Sequence, residues 1–335
     1  MIQRTAPILQ GYDWKNQLAR AIRDPAELLH LLELPSSLLP LAKSAAKTFP
    51  LRVPHSYLQR INKGDPDDPL LRQILPLGEE LNAVEDFHDD PVGDLAAQKS
   101  PGLLHKYQGR ALLITTGACG IHCRYCFRRN YPYGDSNPMQ DNRSLILNYL
   151  RHDAEIHEII LSGGDPLSLS DQRLASLVAD LESVPHLATL RIHTRLPVVV
   201  PQRVTEELLH GITTSRFKTV MVLHINHANE IDSEVISAMV HLKKAGITLL
   251  NQAVLLKGVN DSVEALKKLS HALFNAHILP YYLHQLDQVN GAAHFAVTDT
   301  RAMELLAALR QQLPGYLLPR LVREHAGASS KLPLL

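Results

Sequence analysis

Six short apolar runs, each followed by a stretch of helical period, fill the chain from residue 111 to its C-terminal end. The runs cover 111–115, 158–161, 189–193, 218–224, 248–255 and 279–283, and the helical stretches cover 143–151, 171–181, 205–209, 232–244, 263–276 and 299–313. Short apolar runs alternating with helices read as βα units, whose right-handed crossovers build a buried parallel sheet. Six such units fall short of the eight that close a full barrel. The expected fold is therefore α/β, an open partial (βα)6 barrel with its chemistry at the C-terminal ends of the strands.

Upstream, 14–22, 25–32, 37–47, 55–63 and 69–74 read as short helices broken by Pro, Asp and Gly. They form an N-terminal helical accessory region, residues 1–95, ahead of a barrel domain, residues 96–335, with the polar, turn-rich stretch 85–101 as connector. Asp65, Asp67 and Asp68 precede an apolar run and suit a helix N-terminus better than a metal site.

Composition removes several function classes. With 45% hydrophobic and 20% charged residues, the 335-residue chain is neither disordered nor a coiled coil. Lys plus Arg and Asp plus Glu both number 34, so no electrostatic footprint for nucleic acid is visible. No run of 18 apolar residues exists, and MIQRTAPILQGYDW lacks the parts of a secretory signal. A cytoplasmic protein with neither nucleic acid nor membrane as partner is expected.

Only three cysteines occur, Cys119, Cys123 and Cys126, all on the loop after the first strand. An odd count in a reducing compartment disfavours disulfides. A zinc site wants four ligands, which His122 or His105 could complete, but a zinc finger belongs in a small module. The favoured reading is an iron-sulfur cluster in which three thiolates hold three irons and the fourth iron stays open. Zinc and three plain buried cysteines remain the alternatives.

The other strand ends carry candidate ligand groups. Gly163 and Gly164 let backbone approach a ligand, and Asp165 adds a carboxylate where an ammonium group could dock. Arg195 can fork a carboxylate, and the amides of Asn251 and Gln252 suit adenine or ribose edges. His224 and His227 have metal-ligand spacing but no thiolate or carboxylate partner close in sequence.

Cys119-x3-Cys123-x2-Cys126, with Tyr125 before the last cysteine, resembles the signature of the radical S-adenosylmethionine superfamily. That resemblance implies a 4Fe-4S cluster whose open iron is chelated by S-adenosylmethionine, with Gly163, Gly164, Asp165, Arg195 and Gln252 on the S-adenosylmethionine side. Read together, PGLLHKYQGRALLIT, CRYCFRR, LSGGDPL, RIHTRLPVVVPQRVT, INHANEID, NQAVLLKGVND and YYLHQLDQVNGAAHF resemble the lysine 2,3-aminomutase family from Pro101 to the C-terminus.

The family resemblance implies an isomerase that turns L-lysine into β-lysine by a radical 1,2-amino shift dependent on pyridoxal 5'-phosphate. Lys331 falls at the Schiff-base lysine, after Gly327-Ala328-Ser329-Ser330. Lys106, Tyr107 and Arg110 match positions that hold the cofactor phosphate, with Lys106 where the family usually has Arg. Arg128 matches the grip on the substrate carboxylate. Asp287 and Glu324 match the two acids that receive the lysine ε-ammonium, with Glu324 where the family has Asp.

The chain ends four residues after Lys331, where catabolic members continue. It is thus similar to the bacterial subgroup that makes β-lysine for elongation factor P. Implied partners are L-lysine, an electron donor such as flavodoxin or ferredoxin, elongation factor P with its ligase, and a homo-oligomeric second copy. Sulfur insertion is disfavoured because no cysteine is left for an auxiliary cluster. The competing readings are a mutase for another amino acid such as glutamate, which would want a cation at Asp287, and a zinc-dependent nucleic-acid-binding protein.

Overall fold

The computed structural model describes residues 13–135 and 142–334; the N-terminal stretch read for a signal lies, for residues 1–12, outside them. Its strands are β1 (Gln98–Ser100), β2 (Leu103–Tyr107), β3 (Arg110–Thr116), β4 (Glu158–Gly163), β5 (Thr189–Thr194), β6 (Lys218–Leu223), β7 (Thr248–Val254), β8 (Leu279–His284), β9 (Arg320–Arg323) and β10 (Leu332–Pro333). Among the described residues they form one ten-stranded sheet in simple chain order. Strands β3 to β9 run parallel, while β1–β2, β2–β3 and β9–β10 pair antiparallel.

The six expected runs are β3 to β8, each within two residues of the reading, so the α/β partial barrel is the observed fold. Beyond it, β9 adds a further parallel strand on β8, with Tyr282 opposite Arg320 and His284 opposite Val322. Four residues with only Leu321 and Val322 buried are too short to announce a strand in the sequence.

Helices follow the strands where expected, as α6 (Arg143–His152), α7 (Asp171–Glu182), α9 (Glu206–Thr213), α10 (Ser233–Lys244), α11 (Val263–Asn275) and α12 (Asp299–Arg310), while the single turn α8 (Leu196–Val199) was not expected. Most begin on a side-chain cap. Ser170, Thr205, Asp232, Ser262 and Thr298 each accept the backbone N–H three residues on. Each long helix then buries one apolar stripe, as α7 does with Leu174, Leu177, Val178 and Leu181.

The N-terminal helices are α1 (Trp14–Ala19), α2 (Pro25–Leu31), α3 (Leu39–Thr48), α4 (His55–Leu58) and α5 (Pro69–Arg72). Helix α4 stops well short of the expected residue 63. The chain turns there, and Gly64, at φ 74°, donates its N–H to the Leu32 carbonyl at 2.8 Å. Asp68 caps α5 as its position suggests, accepting from Leu70 and Leu71 at 2.8 and 3.1 Å and from the Asn62 N–H at 3.0 Å.

Trp14, Leu28, Tyr57 and Leu70 share one continuous core with Leu113, Ile159, Leu190 and Leu223 of the barrel. The helical layer also reaches the cysteine loop directly. The Arg52 and Gln73 carbonyls accept the backbone N–H groups of His122 and Arg124 at 3.0 and 2.9 Å. Among the described residues no helix is long and apolar enough to cross a membrane.

Candidate active site

A cavity of about 430 Å³ opens at the strand ends and is lined by all three cysteines and by Lys331. The cysteine loop follows β3 and is fixed from outside the barrel. Buried Glu80 takes Arg124 Nε and Nη2 at 2.8 and 2.6 Å and Arg129 Nη2 at 2.8 Å. Both guanidinium groups also lie on the Phe49 ring, at 4.8 and 4.7 Å. Neither Glu80 nor Phe49 was singled out from the sequence, because nothing local to them points at a site 40 residues or more away.

The donor set fits a metal cluster. Burial and their mutual charge push the Cys119 thiol well above the ordinary range and Cys126 up to about 11. Thiols so placed ionise together only when a cation shares them. Among the described residues no group of three His, Cys, Asp or Glu could hold a single metal ion. A cluster of several irons spreads its thiolates more widely than one ion does. His122 turns Nδ1 to the Pro50 carbonyl at 2.8 Å, and His105 pairs with the Tyr149 hydroxyl at 2.9 Å, so neither joins the cysteines. His227 receives the Asn229 N–H, whereas His224 faces the cavity and Gln252.

Gly163 and Gly164 are dictated by the close approach of β4 to the chain entering the cysteine loop. A Cβ on Gly164 would fall 2.4 Å from the Ala118 carbonyl oxygen, and one on Gly163, at φ 118°, 2.9 Å from that of Thr116. The Asp165 carboxylate corrects the sequence reading, since it is not free to receive an ammonium group. It accepts from Thr194 Oγ1 at 2.6 Å and from the backbone N–H groups of Arg195, Leu196 and Leu167 at 2.8, 2.9 and 3.0 Å. Asp165→Ala would strand these donors in a buried loop. It should destabilise the protein by about 3 kcal/mol, with Asp165→Asn recovering part, as urea denaturation of both variants would measure.

Asn251 is likewise spent inside the fold, accepting from the Ile225 N–H at 2.9 Å and donating to its carbonyl at 3.0 Å. Gln252, its neighbour on the opposite face of β7, does line the cavity, with its amide 2.8 Å from His224 Nε2. Arg195 meets a carboxylate, but an internal one: Nη2 donates to Glu230 at 2.7 Å, while Nη1 donates to Cys123 Sγ at 2.7 Å.

At the other end of the cavity the charged groups form a chain of alternating sign. Lys331 pairs with Glu324 at 2.6 Å, Glu324 with Lys106 at 3.0 Å, Lys106 with Asp94 at 2.6 Å and Asp94 with Arg128 at 2.6 Å. Arg128 Nη1 donates on to Ser162 Oγ at 3.0 Å. The Lys331, Lys106 charges hold the Glu324 carboxyl well below its usual range despite burial. Asp287 shares the pocket but takes no ion pair among the described residues. Burial, then the charge of Glu324, pushes its carboxyl up to about 7. Tyr107 stands by Glu324, and the Arg110 guanidinium lies 4.7 Å over its ring. Asp94 is the residue the sequence hid, because it sits in the stretch read only as a connector and yet is 2% exposed.

A partial barrel with three cysteines on the loop after its first parallel strand defines a radical S-adenosylmethionine protein, and the model described as "Radical SAM superfamily" matches residues 113–269. The L-lysine 2,3-aminomutase of Escherichia coli (strain K12) is 48% identical over 323 residues, covering 96% of this chain and 94% of that protein. That of Haemophilus influenzae is 47% identical over 324 residues, covering 97% and 96%. The chain belongs to the lysine 2,3-aminomutase family. Among solved structures, a radical SAM methyltransferase from Sphaerobacter thermophilus is similar with a TM-score of 0.47 and 14% identity, over 66% of this chain and 68% of that one.

Proposed function

We propose that this protein is an isomerase, an L-lysine 2,3-aminomutase that forms β-lysine by moving the α-amino group to Cβ. Its cofactors are a 4Fe-4S cluster, S-adenosylmethionine and pyridoxal 5'-phosphate. The observation that carries the reading is one cavity lined at once by the three cysteines, the partly buried Lys331 and the carboxylates of Asp287 and Glu324. Cys119, Cys123 and Cys126 would hold the cluster. The Gly163–Asp165 backbone, Arg195 and Gln252 would face S-adenosylmethionine, while Lys106, Tyr107 and Arg110 would hold the phosphate and Lys331 the carbonyl carbon. Bound together, these groups supply a carbon radical and the unsaturation across which nitrogen can migrate.

The chain's own residues bind, orient and shield. Arg128, fixed by Asp94 and Ser162, presents a guanidinium to the substrate carboxylate. In the free chain the Lys331 ammonium neutralises Glu324. Glu324 would keep Lys106 at 3.0 Å whatever became of the Lys331 ammonium, so Asp287, which takes no ion pair among the described residues, would be the acid most open to the ε-ammonium of lysine, with Glu324 beside it. The same two acids would repel a glutamate side chain. The nearby imidazoles of His193, His224 and His284 are kept neutral by burial, so they add no competing charge.

Lysine selectivity tests the reading. Asp287→Asn keeps shape and loses charge, so it should weaken lysine use by about 2–4 kcal/mol, mainly as a higher KM, and spare norleucine, which has no ammonium. Equal proportional losses for the two would remove Asp287 as the ammonium partner. With its carboxyl near 7, Asp287 is protonated in acid, so KM for lysine should rise up to about tenfold per unit as pH falls below 7. This limb should vanish in Asp287→Asn. The same raised value costs stability as pH climbs from 3.8 to 7, because the folded chain keeps a proton the unfolded chain has lost. Mass spectrometry of the product from anaerobic incubation with lysine, S-adenosylmethionine and reductant decides the reaction; recovery of unchanged lysine alone would overturn it.

The wider setting follows from the resemblance to the elongation factor P subgroup. Flavodoxin or ferredoxin would supply the electron in the cytoplasm, and the β-lysine would pass to the ligase that modifies elongation factor P.

A further inference from the structure

Arg195 is held far more tightly than an ion pair requires. Besides Glu230, its Nη2 donates to Gln73 Oε1 at 2.7 Å and to the Tyr57 hydroxyl at 3.2 Å, and its Nη1 donates to the Tyr125 hydroxyl at 2.8 Å as well as to Cys123 Sγ. The Tyr57 and Tyr125 rings lie 5.5 and 5.8 Å from the guanidinium carbon. The group is 5% exposed and Glu230 is not exposed at all. The carboxylate also serves its own loop, where Oε1 accepts the N–H groups of Asn226 and His227 at 2.8 and 3.1 Å. A fixed positive charge thus points at one cysteine sulfur from within the fold, with a fixed negative charge on its far side.

We propose that Arg195 and Glu230 set the reduction potential of the cluster through the sulfur of Cys123. This rests on the cluster reading given above. Reduction adds one electron to the cluster and its thiolates, so a donor and a cation at a ligand sulfur favour the reduced state and raise the potential. Low local polarity strengthens that effect. Glu230, behind the guanidinium, opposes it and orients the fork. Arg195 is in this sense a positioning and tuning residue whose partners Tyr57 and Gln73 come from the N-terminal helical layer, which gives that layer a part in electron transfer.

The test is a spectroscopic redox titration of the anaerobically reconstituted, full-length protein without S-adenosylmethionine, for wild type, Arg195→Met, Arg195→Lys and Glu230→Gln. At a poise that half-reduces the wild-type cluster, Arg195→Met should show at least a tenfold lower ratio of reduced to oxidised cluster, equivalent to 59 mV for one electron. Arg195→Lys should fall between, and Glu230→Gln should shift the ratio the opposite way. That opposition is what a merely structural role would not produce, since a loosened, wetter site moves every variant in one direction. Unchanged potentials, or shifts of one sign in Arg195→Lys and Glu230→Gln, would overturn the assignment even if Arg195→Met fails to fold. A wild-type protein that takes up no iron would instead sink the cluster reading itself.

Discussion

Cys123→Ala should leave a folded protein that assembles no cluster and cleaves no S-adenosylmethionine. Two thiolates cannot retain the irons that three hold, and the histidines nearest in sequence are committed elsewhere, His122 to the Pro50 carbonyl and His105 to Tyr149. The fold should survive because the loop is anchored by Glu80 through Arg124 and Arg129, not by the thiol. Iron analysis and absorbance after anaerobic reconstitution would check this. Retention of about four irons per chain, with S-adenosylmethionine cleavage intact, would refute the ligand assignment.

Lys331→Ala should abolish covalent retention of pyridoxal 5'-phosphate while the iron content stays at the wild-type level, because the two cofactors would use opposite ends of the cavity. Borohydride reduction of the wild-type holoenzyme followed by peptide mapping should place the label on Lys331. Lys331→Arg preserves the charge beside Glu324 but cannot form the covalent link, so it should match Lys331→Ala in labelling and surpass it in stability. A label on Lys257, Lys267 or Lys268 would move the site elsewhere. Two of those are engaged on the outer surface, Lys267 with Gln312 and Lys268 with Glu264.

The parts of the fold that were readable in the sequence are those set by local periodicity. Strands β3 to β8 and helices α6, α7 and α9 to α12 follow from apolar spacing and from caps such as Ser170 and Asp232, which act within a few residues of themselves. What escaped depends on distant partners. β9 is a strand only because β8 offers it a ladder, and four residues carry too little pattern of their own. Within the site, the cysteines were legible from their spacing and Lys331 only through the family resemblance, and the structure gathers them around one cavity. Asp94 was not, since an acid in a polar connector looks solvated until Arg128 and Lys106 arrive from elsewhere in the chain. Asp165 misled for the opposite reason. Its motif suggested a ligand group, whereas the Arg195 and Leu196 N–H groups occupy one oxygen and the Thr194 hydroxyl and the Leu167 N–H the other.

The tie between Lys106 and Glu324 joins residues 218 apart in sequence. Translation at about 5–20 residues per second separates their emergence by roughly 10–40 s. During that interval a nascent chain can already own its cysteine loop, together with Glu80, Arg195 and Glu230 that brace it, while Lys106 has only Asp94 and the Val92 carbonyl for company. The order of synthesis therefore completes the iron-binding end first and the lysine-bearing end later, so the pocket that would confine a radical does not exist until Glu324 and Lys331 have themselves been made.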